Sequence, residues 1–312
     1  MRSDKKTLNS PLPDGSRKKS LRKKRRVLFL IVALTLVLLF VTELVYSNYA
    51  LTISVYIVHE EKIASPIRVV FLSDLHGRTF GRDNARLLRI IAEQEPDFIA
   101  LVGDMINQYM DEAEIPVFCN FIRAAAEIAP VYYSMGNHEY SYSQRHNQDF
   151  IHRISSAGAT ILDNNYLDLD LNGNRIRLGG YMGYYGNPHM MSTDPEQIQL
   201  EQKFFQDYVA TDRFKLLLNH IPTAWLDWGA IDRNRADLVF SGHYHGGIIR
   251  IPFWNQGLYA PYVGWFPPYT KGVFAGKSAT CILTTGLAGV ECVPRFFNPP
   301  EIVLVEIKPE ET

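Results

Sequence analysis

The chain has 312 residues, 46 % hydrophobic and 21 % charged, with a formal net charge of −1. That balance excludes collagen-like, low-complexity and wholly disordered classes and leaves room for one large domain or two small ones. The charge is uneven: residues 1–26 hold 11 Lys/Arg against two Asp, and the remainder holds 21 against 31 acidic residues, which argues against nucleic acid as a partner.

In chain order, the basic segment 1–26, with its Pro and Ser, predicts a disordered cytoplasmic tail whose charges suit anionic lipid. Val27 to Val41 contains only Thr35 as a mildly polar residue, and Leu44-Val45-Tyr46 extends the run past Thr42 and Glu43. Residues 27–46 as a helix span about 30 Å, enough to cross a bilayer core. Lys/Arg before the run place the N-terminus in the cytoplasm and everything after residue 47 outside. The expectation is a single-pass cell-membrane protein anchored by a transmembrane helix. Two alternatives stay open: a cleaved signal, although Asn48 is a poor −3 residue for cleavage after Ala50, and a buried core helix, which would not carry a basic mouth.

Residues 48–312 predict one α/β domain of alternating strands and helices. Strands are expected at 67–72, 98–102, 131–134, 159–162, 166–171, 175–182, 214–219 and 237–241, with a last strand 301–307. Helices are expected at 84–94, capped by Asp83, near 113–129 and near 195–210. Cys119, Cys281 and Cys292 match no zinc spacing, and either three free thiols or one Cys281–Cys292 bridge fits.

The chemistry clusters where strands end: Asp74-x-His76, Gly103-Asp104, Gly136-Asn137-His138-Glu139, Asn219-His220 and Gly242-His243-Tyr244-His245-Gly246-Gly247. Ligand sites of α/β sheets form at the carboxyl ends of strands. Carboxylate and imidazole side chains, with no thiolate among them, suit a pair of divalent ions. In D-x-H and H-x-H, alternate residues of an extended strand end would face one cavity. Two such ions clamp the attacking and leaving oxygens of a phosphoryl group.

This set, over about residues 65–308, resembles the calcineurin-like metallophosphoesterase superfamily. The forms SDLHG, HGG-x-x-RIP and FNPPEIVLVEI resemble its bacterial membrane-anchored branch, which includes relatives assigned to UDP-2,3-diacylglucosamine hydrolysis. The resemblance implies a four-layer α-β-β-α sandwich and two divalent metal ions (Mn, Zn, Fe or Mg). It implies Asp74, His76 and His245 on one ion, Asn137, His220 and His243 on the other, and Asp104 bridging them. His138 would serve the leaving group, and a hydroxide between the ions would be the nucleophile. The expected activity is hydrolysis of a phosphodiester or pyrophosphate by a monomer. A UDP-2,3-diacylglucosamine-like lipid substrate is the alternative, in conflict with an outward-facing domain because that lipid is made on the cytoplasmic side. A non-catalytic scaffold is the other rival, and the completeness of the seven ligands argues against it.

One departure stands out: no acid follows Gly103-Asp104 in Met105-Ile106-Asn107-Gln108, so support around the metals should differ. Glu139 after His138 is read as uninformative. Arg78 is a candidate phosphate contact or a solvated loop residue. His59, His146, His152 and His189 are expected on the surface, with His146 a lesser substrate-contact candidate. Eight aromatics within residues 251–274 form either a satellite core or a lip over the site that meets an apolar, lipid-linked substrate, with some of Trp254, Tyr262, Trp265 and Phe266 exposed there and Trp265 and Phe266 as contacts.

Overall fold

The computed structural model describes residues 15–146, 149–182, 195–254, 256–290 and 293–310. The chain divides into two units, Met1–Glu43 and Leu44–Thr312. The first unit is built on helix α1, Gly15–Tyr49, whose last turn belongs to the second. Among the described residues, α1 is the one helix long and apolar enough to cross a membrane, and its side chains between Val27 and Val41 face outward. Gly15–Arg26 is helical rather than a disordered tail. Lys, Arg and Leu are good helix formers, and a helix nucleated in the apolar run propagates through them.

The second unit stacks two six-stranded sheets. In the first, Thr52–His59 (β1) lies beside Glu301–Lys308 (β16), followed in order by Ile67–Leu72 (β2), Phe98–Val102 (β3), Val131–Ser134 (β4) and Ala159–Leu162 (β5). β2 to β5 run parallel, and β16 is antiparallel to β2. The second sheet runs Gly272–Ala275 (β14), Thr280–Leu283 (β15), Leu238–Ser241 (β9), Phe214–Asn219 (β8), Asn174–Tyr181 (β7) and Asn165–Leu171 (β6). Here β15, β9, β8 and β7 are parallel, with an antiparallel strand at each edge. Short hairpins follow β9: Arg250–Ile251 (β10) with Gln256–Gly257 (β11), and Tyr259–Ala260 (β12) with Gly264–Trp265 (β13).

Strand alternation sorts the side chains into layers. Ile67, Val69, Phe71, Phe98, Ala100 and Val102 point between the sheets and meet Leu216, Leu218, Leu238 and Phe240. Phe71 stacks on Phe240 with ring centroids 4.9 Å apart. The opposite faces, Val70, Leu72, Ile99 and Leu101, pack under Ala85–Ala92 (α2), Ile115–Ala126 (α3), Asn137–His146 (α4) and Asp149–Ser156 (α5). Leu217, Val239 and Cys281 pack under Pro195–Val209 (α6) and Thr223–Leu226 (α7). The four-layer sandwich is therefore present, and because its inner strands are covered on both faces they read as continuous apolar runs.

The expected strands and helices appear within a few residues of their bounds. Asp83 does not cap α2: it belongs to the 3₁₀ turn Arg82–Asn84, and Asn84 precedes the helix, its side chain accepting the Phe80 N–H. Strands β1, β14 and β15 lie outside the sequence expectation. β1 is an edge strand of alternating exposure, and its pairing with β16, 249 residues away for Thr52 and Glu301, has no local signature. Cys119 and Cys281 are buried free thiols, and Cys292 lies outside the described residues.

Phe71→Ala should lower the free energy of unfolding by about 3–5 kcal/mol, because it leaves a cavity between the sheets against Phe240. The shift of the denaturant midpoint measures it.

Candidate metal centre

The carboxyl ends of β2, β3, β4, β8 and β9 converge, and the loops leaving them carry the polar residues singled out in the sequence. Asp74, Asp104, His220, His243 and His245 are buried, and the His76 side chain is 10 % exposed. Three overlapping groups are close enough to hold a metal ion: Asp74, His76 and His245; His76, Asp104 and His138; and Asp104, His220 and His243. His220 Nε2 lies 3.0 Å from Asp104 Oδ2, and His76 Nε2 lies 3.9 Å from Asp74 Oδ1 and 4.0 Å from Asp104 Oδ2. Asp104 belongs to two of these groups and lies 4.0 Å from His76, a member of the third.

The backbone route differs from the one expected. Asp74, His76, Asp104, His243 and His245 all adopt positive φ, between 47° and 69°. They are not alternate residues of straight strand ends but members of left-handed turns, and the turns aim both side chains of each D-x-H and H-x-H pair inward. These turns are held in a ladder: the Asp74, His76 and Gly77 N–H groups donate to the carbonyls of Gly103, Asp104 and Met105 at 3.1, 2.9 and 2.9 Å. At Gly103, itself at φ 71°, a Cβ would come within 2.5 Å of the His220 ring, so only glycine admits both the turn and the imidazole.

Hydrogen bonds set the imidazole tautomers. His220 Nδ1 donates to the Val102 carbonyl at 2.8 Å, and His245 Nδ1 donates to the Ala288 carbonyl at 3.0 Å. Each leaves Nε2 toward the centre, the arrangement found around metal-bound histidines. The buried Arg295 guanidinium donates to the same Ala288 carbonyl at 2.6 Å and so braces His245 indirectly. Both ring nitrogens of His76 and of His243, together with Asn137 Oδ1, are buried without a hydrogen-bond partner. Burial pushes the His76 and His243 imidazoles down to about 3, which leaves them neutral, with lone pairs available. Burial alone would raise the Asp104 carboxyl, but the adjacent His220, with His138 and His76, holds it well below the usual carboxylate range. Converging carboxylates, neutral imidazoles and an orphaned amide oxygen are the donor set that a divalent cation completes.

Glu139, which the sequence left uninformative, is the organiser of this junction. Its buried carboxylate accepts the N–H groups of Asp104 (2.8 Å), Met105 (2.7 Å), Ile106 (3.1 Å) and Gly136 (2.8 Å), and the Tyr133 hydroxyl (2.7 Å). Burial and the Asp104 charge raise its carboxyl, and these hydrogen bonds work against that rise. The legible signal was the spacing: Glu139 sits three residues after Gly136 and reaches back to its N–H, half of a capping box. It supplies from the far side the support that no acid after Gly103-Asp104 supplies.

His138 lies beside the centre. Its N–H donates to Asp104 Oδ1 at 2.8 Å, and its Nδ1 accepts the Gln108 N–H at 3.1 Å. In the neutral ring the proton therefore sits on Nε2, which lies 3.9 Å from Asp104 Oδ2. Around these groups is a pocket of about 410 Å³ that Gln108, Tyr109, Pro261, Tyr262 and Val290 help to line. Tyr262, one of the aromatics expected at the lip, lies with its ring on His243, centroids 5.1 Å apart and planes at 8°.

Arg78 is placed outside that pocket. Its guanidinium packs over the Tyr49 and Phe80 rings at 5.0 and 5.2 Å and donates to the Asn48 carbonyl at the end of α1, in a groove that also reaches His76. Trp265 and Phe266 are exposed, and Trp265 lines an adjoining apolar cavity. His59 and His152 lie on the surface, as expected. His146 stacks on Tyr142 with centroids 4.5 Å apart and is not among the residues that line the pocket. His189 lies outside the described residues.

Residues 67–247 match the family model described as calcineurin-like phosphoesterase. The uncharacterized metallophosphoesterase YkoQ of Bacillus subtilis is 24 % identical over 60 % of this chain and 63 % of its own length. Phosphodiesterase YaeI of Escherichia coli is 26 % identical over 78 % of this chain and 83 % of its own. Among solved structures, the 5′-nucleotidase precursor of Thermus thermophilus is similar with a TM-score of 0.44 and 15 % identity, covering 70 % of this chain and 48 % of that one. The chain thus spans less than two thirds of the length of YkoQ and about half of that nucleotidase.

Glu139→Ala removes the acceptor of four buried amides. An unsatisfied buried donor costs about 1–3 kcal/mol, so stability should fall by at least about 3 kcal/mol, with faster hydrogen exchange at the Asp104, Met105 and Ile106 amides. Native-state exchange read residue by residue checks this.

Proposed function

We propose that this chain, which belongs to the calcineurin-like phosphoesterase family, is a membrane-anchored hydrolase of a phosphodiester or pyrophosphate bond that works with two divalent ions. Its coarser class is plain: it is a metallophosphoesterase, a hydrolase acting on phosphoesters. The observation that carries the finer reading is the donor set around Asp104, with buried, unpartnered nitrogens of His76 and His243 beside an unpartnered Asn137 oxygen. In this reading Asp74, His76 and His245 would hold one ion, Asn137, His220 and His243 the other, and Asp104 would serve both. Bound there, the ions supply Lewis-acid activation of water and of the phosphoryl oxygens. The relative named a phosphodiesterase favours the diester. The UDP-2,3-diacylglucosamine reaction is a pyrophosphate cleavage of this same class.

The chain's own residues do the rest. His220 and His245 are oriented by the Val102 and Ala288 carbonyls. His138 keeps its proton on Nε2 because Gln108 occupies Nδ1, which suits it to protonate the departing oxygen at the pocket wall. The apolar run of α1 and the basic residues before it support a single-pass anchor, with the N-terminus in the cytoplasm and residues 48–312 outside.

Asp104→Ala should lose bound metal and, with it, activity by orders of magnitude, measured by elemental analysis and turnover on the same sample. His138→Ala should instead keep its metal and lose about 10²–10⁴ in rate, least for esters with good leaving groups. Metal loss in the second variant, or normal turnover in the first, overturns the assignment. A reporter fused after Thr312 should be active only outside the cytoplasmic membrane, and a cytoplasmic signal reverses the orientation.

A further inference from the structure

We infer that the phosphoester taken by this site is amphipathic, and that an alkyl chain of a membrane lipid occupies an apolar cavity joined to the metal pocket. The inference rests on the phosphoesterase reading above and names the substrate class of the same site.

Beside the metal pocket lies a second cavity of about 790 Å³, walled by side chains that include Ile249, Leu258 and Trp265. Pro261, Tyr262 and Val290 line both spaces, so the two meet across one tyrosine ring. That ring rests on His243, one of the proposed metal ligands. A substrate with its phosphate at Asp104 therefore has its next atoms at Tyr262, and any group extending past Tyr262 enters walls of hydrocarbon. A sugar or a base placed there would lose water without finding partners, which costs free energy, whereas each methylene buried gains it.

The surroundings favour a lipid as the source of that chain. Val290 and Val293 border the cavity and also the groove closed by Asn48 and Arg78. Asn48 belongs to the last turn of α1, directly after the apolar run, and is clipped to Arg295: its amide donates to the Arg295 carbonyl at 2.9 Å and its oxygen accepts the Arg295 N–H at 3.2 Å. Asn48, which belongs to the same unit as the cavity, thus shares one rim with it. Trp265, which lines the cavity, is exposed, as are Phe253, Trp254 and Phe266 in the hairpin segment after β9. Exposed Trp and Phe are suited to a membrane–water boundary. The satellite core claims only part of the segment, since Tyr269 and Phe274 pack on the second sheet.

The test uses the full chain in nanodiscs with Mn²⁺ and a series of p-nitrophenyl alkyl phosphates from methyl to octyl. Water adds to phosphorus, the P–O bond to p-nitrophenol breaks, and the alkyl phosphate remains. KM should fall about two- to fourfold per added methylene, with kcat nearly constant. Leu258→Trp and Ile249→Trp, which fill the cavity, should flatten that slope. Partition into the disc acts equally on all three proteins, so equal slopes in wild type and both variants overturn the inference, as does a flat wild-type series. Calorimetric binding of alkylphosphonates is read alongside. Chain-length-dependent binding without turnover supports the cavity while failing the catalytic reading. Turnover without chain-length dependence keeps the catalytic reading and overturns the cavity.

Discussion

Three carboxylates buried in one junction set the terms for everything around them. Asp74, Asp104 and Glu139 lie within the strand-end loops, almost wholly removed from water. A buried charge costs several kcal/mol unless it is answered in place. Glu139 is answered by four amides and a phenol. Asp74 receives the His243 N–H, and Asp104 receives the His138 N–H. Even so, the junction keeps two neutral imidazoles and an amide oxygen with lone pairs unspent. Such a surplus of electron pairs is stable only beside positive charge, which is the physical ground for proposing cations there.

The same junction explains why so much regular structure stands behind so few residues. Five of its side chains hang on left-handed backbone, at about 1–3 kcal/mol each for residues other than glycine. Local sequence would relax such turns. They persist because each is tied to its neighbour: the β2 loop to the β3 loop through the amide ladder, and the β3 loop to α4 through Glu139. The strand ends in turn are fixed by two sheets clamped through Phe71 and Phe240.

What was legible in the sequence was whatever leaves a local trace. Buried strands such as Ile67–Leu72 and Phe214–Asn219 announce themselves as apolar runs, and the ligand set is a series of short motifs at their ends. The unread parts depend on distant partners or on geometry. β1 is defined by β16 across the whole domain, and the role of Glu139 by amides about 35 residues earlier in the chain. Arg78 looked like a phosphate contact from its distance to Asp74 along the chain, yet the fold brings it against Tyr49 and Phe80. Strand alternation gave the right neighbours in D-x-H and H-x-H by the wrong backbone, because positive φ at Asp74 and His76 has no signature in their residue types.

The two sides of the site are built by different parts of the chain, and their chemistry divides accordingly. The polar side comes from loops leaving β2, β3, β4, β8 and β9, all pinned by sheet hydrogen bonds, and it carries the groups that any phosphoester would need. The opposite side comes from the hairpins after β9 and the segment around Val290, where the side chains are apolar and aromatic and the backbone pairs only in short pieces. Loops of that kind can vary without disturbing the scaffold that holds a reactive centre. Tyr262 stands where the two sides touch, its ring on His243 and its flank on the apolar cavity. The polar side is thus fixed by the sheets, and the apolar side by short-paired loops that meet it at one tyrosine ring.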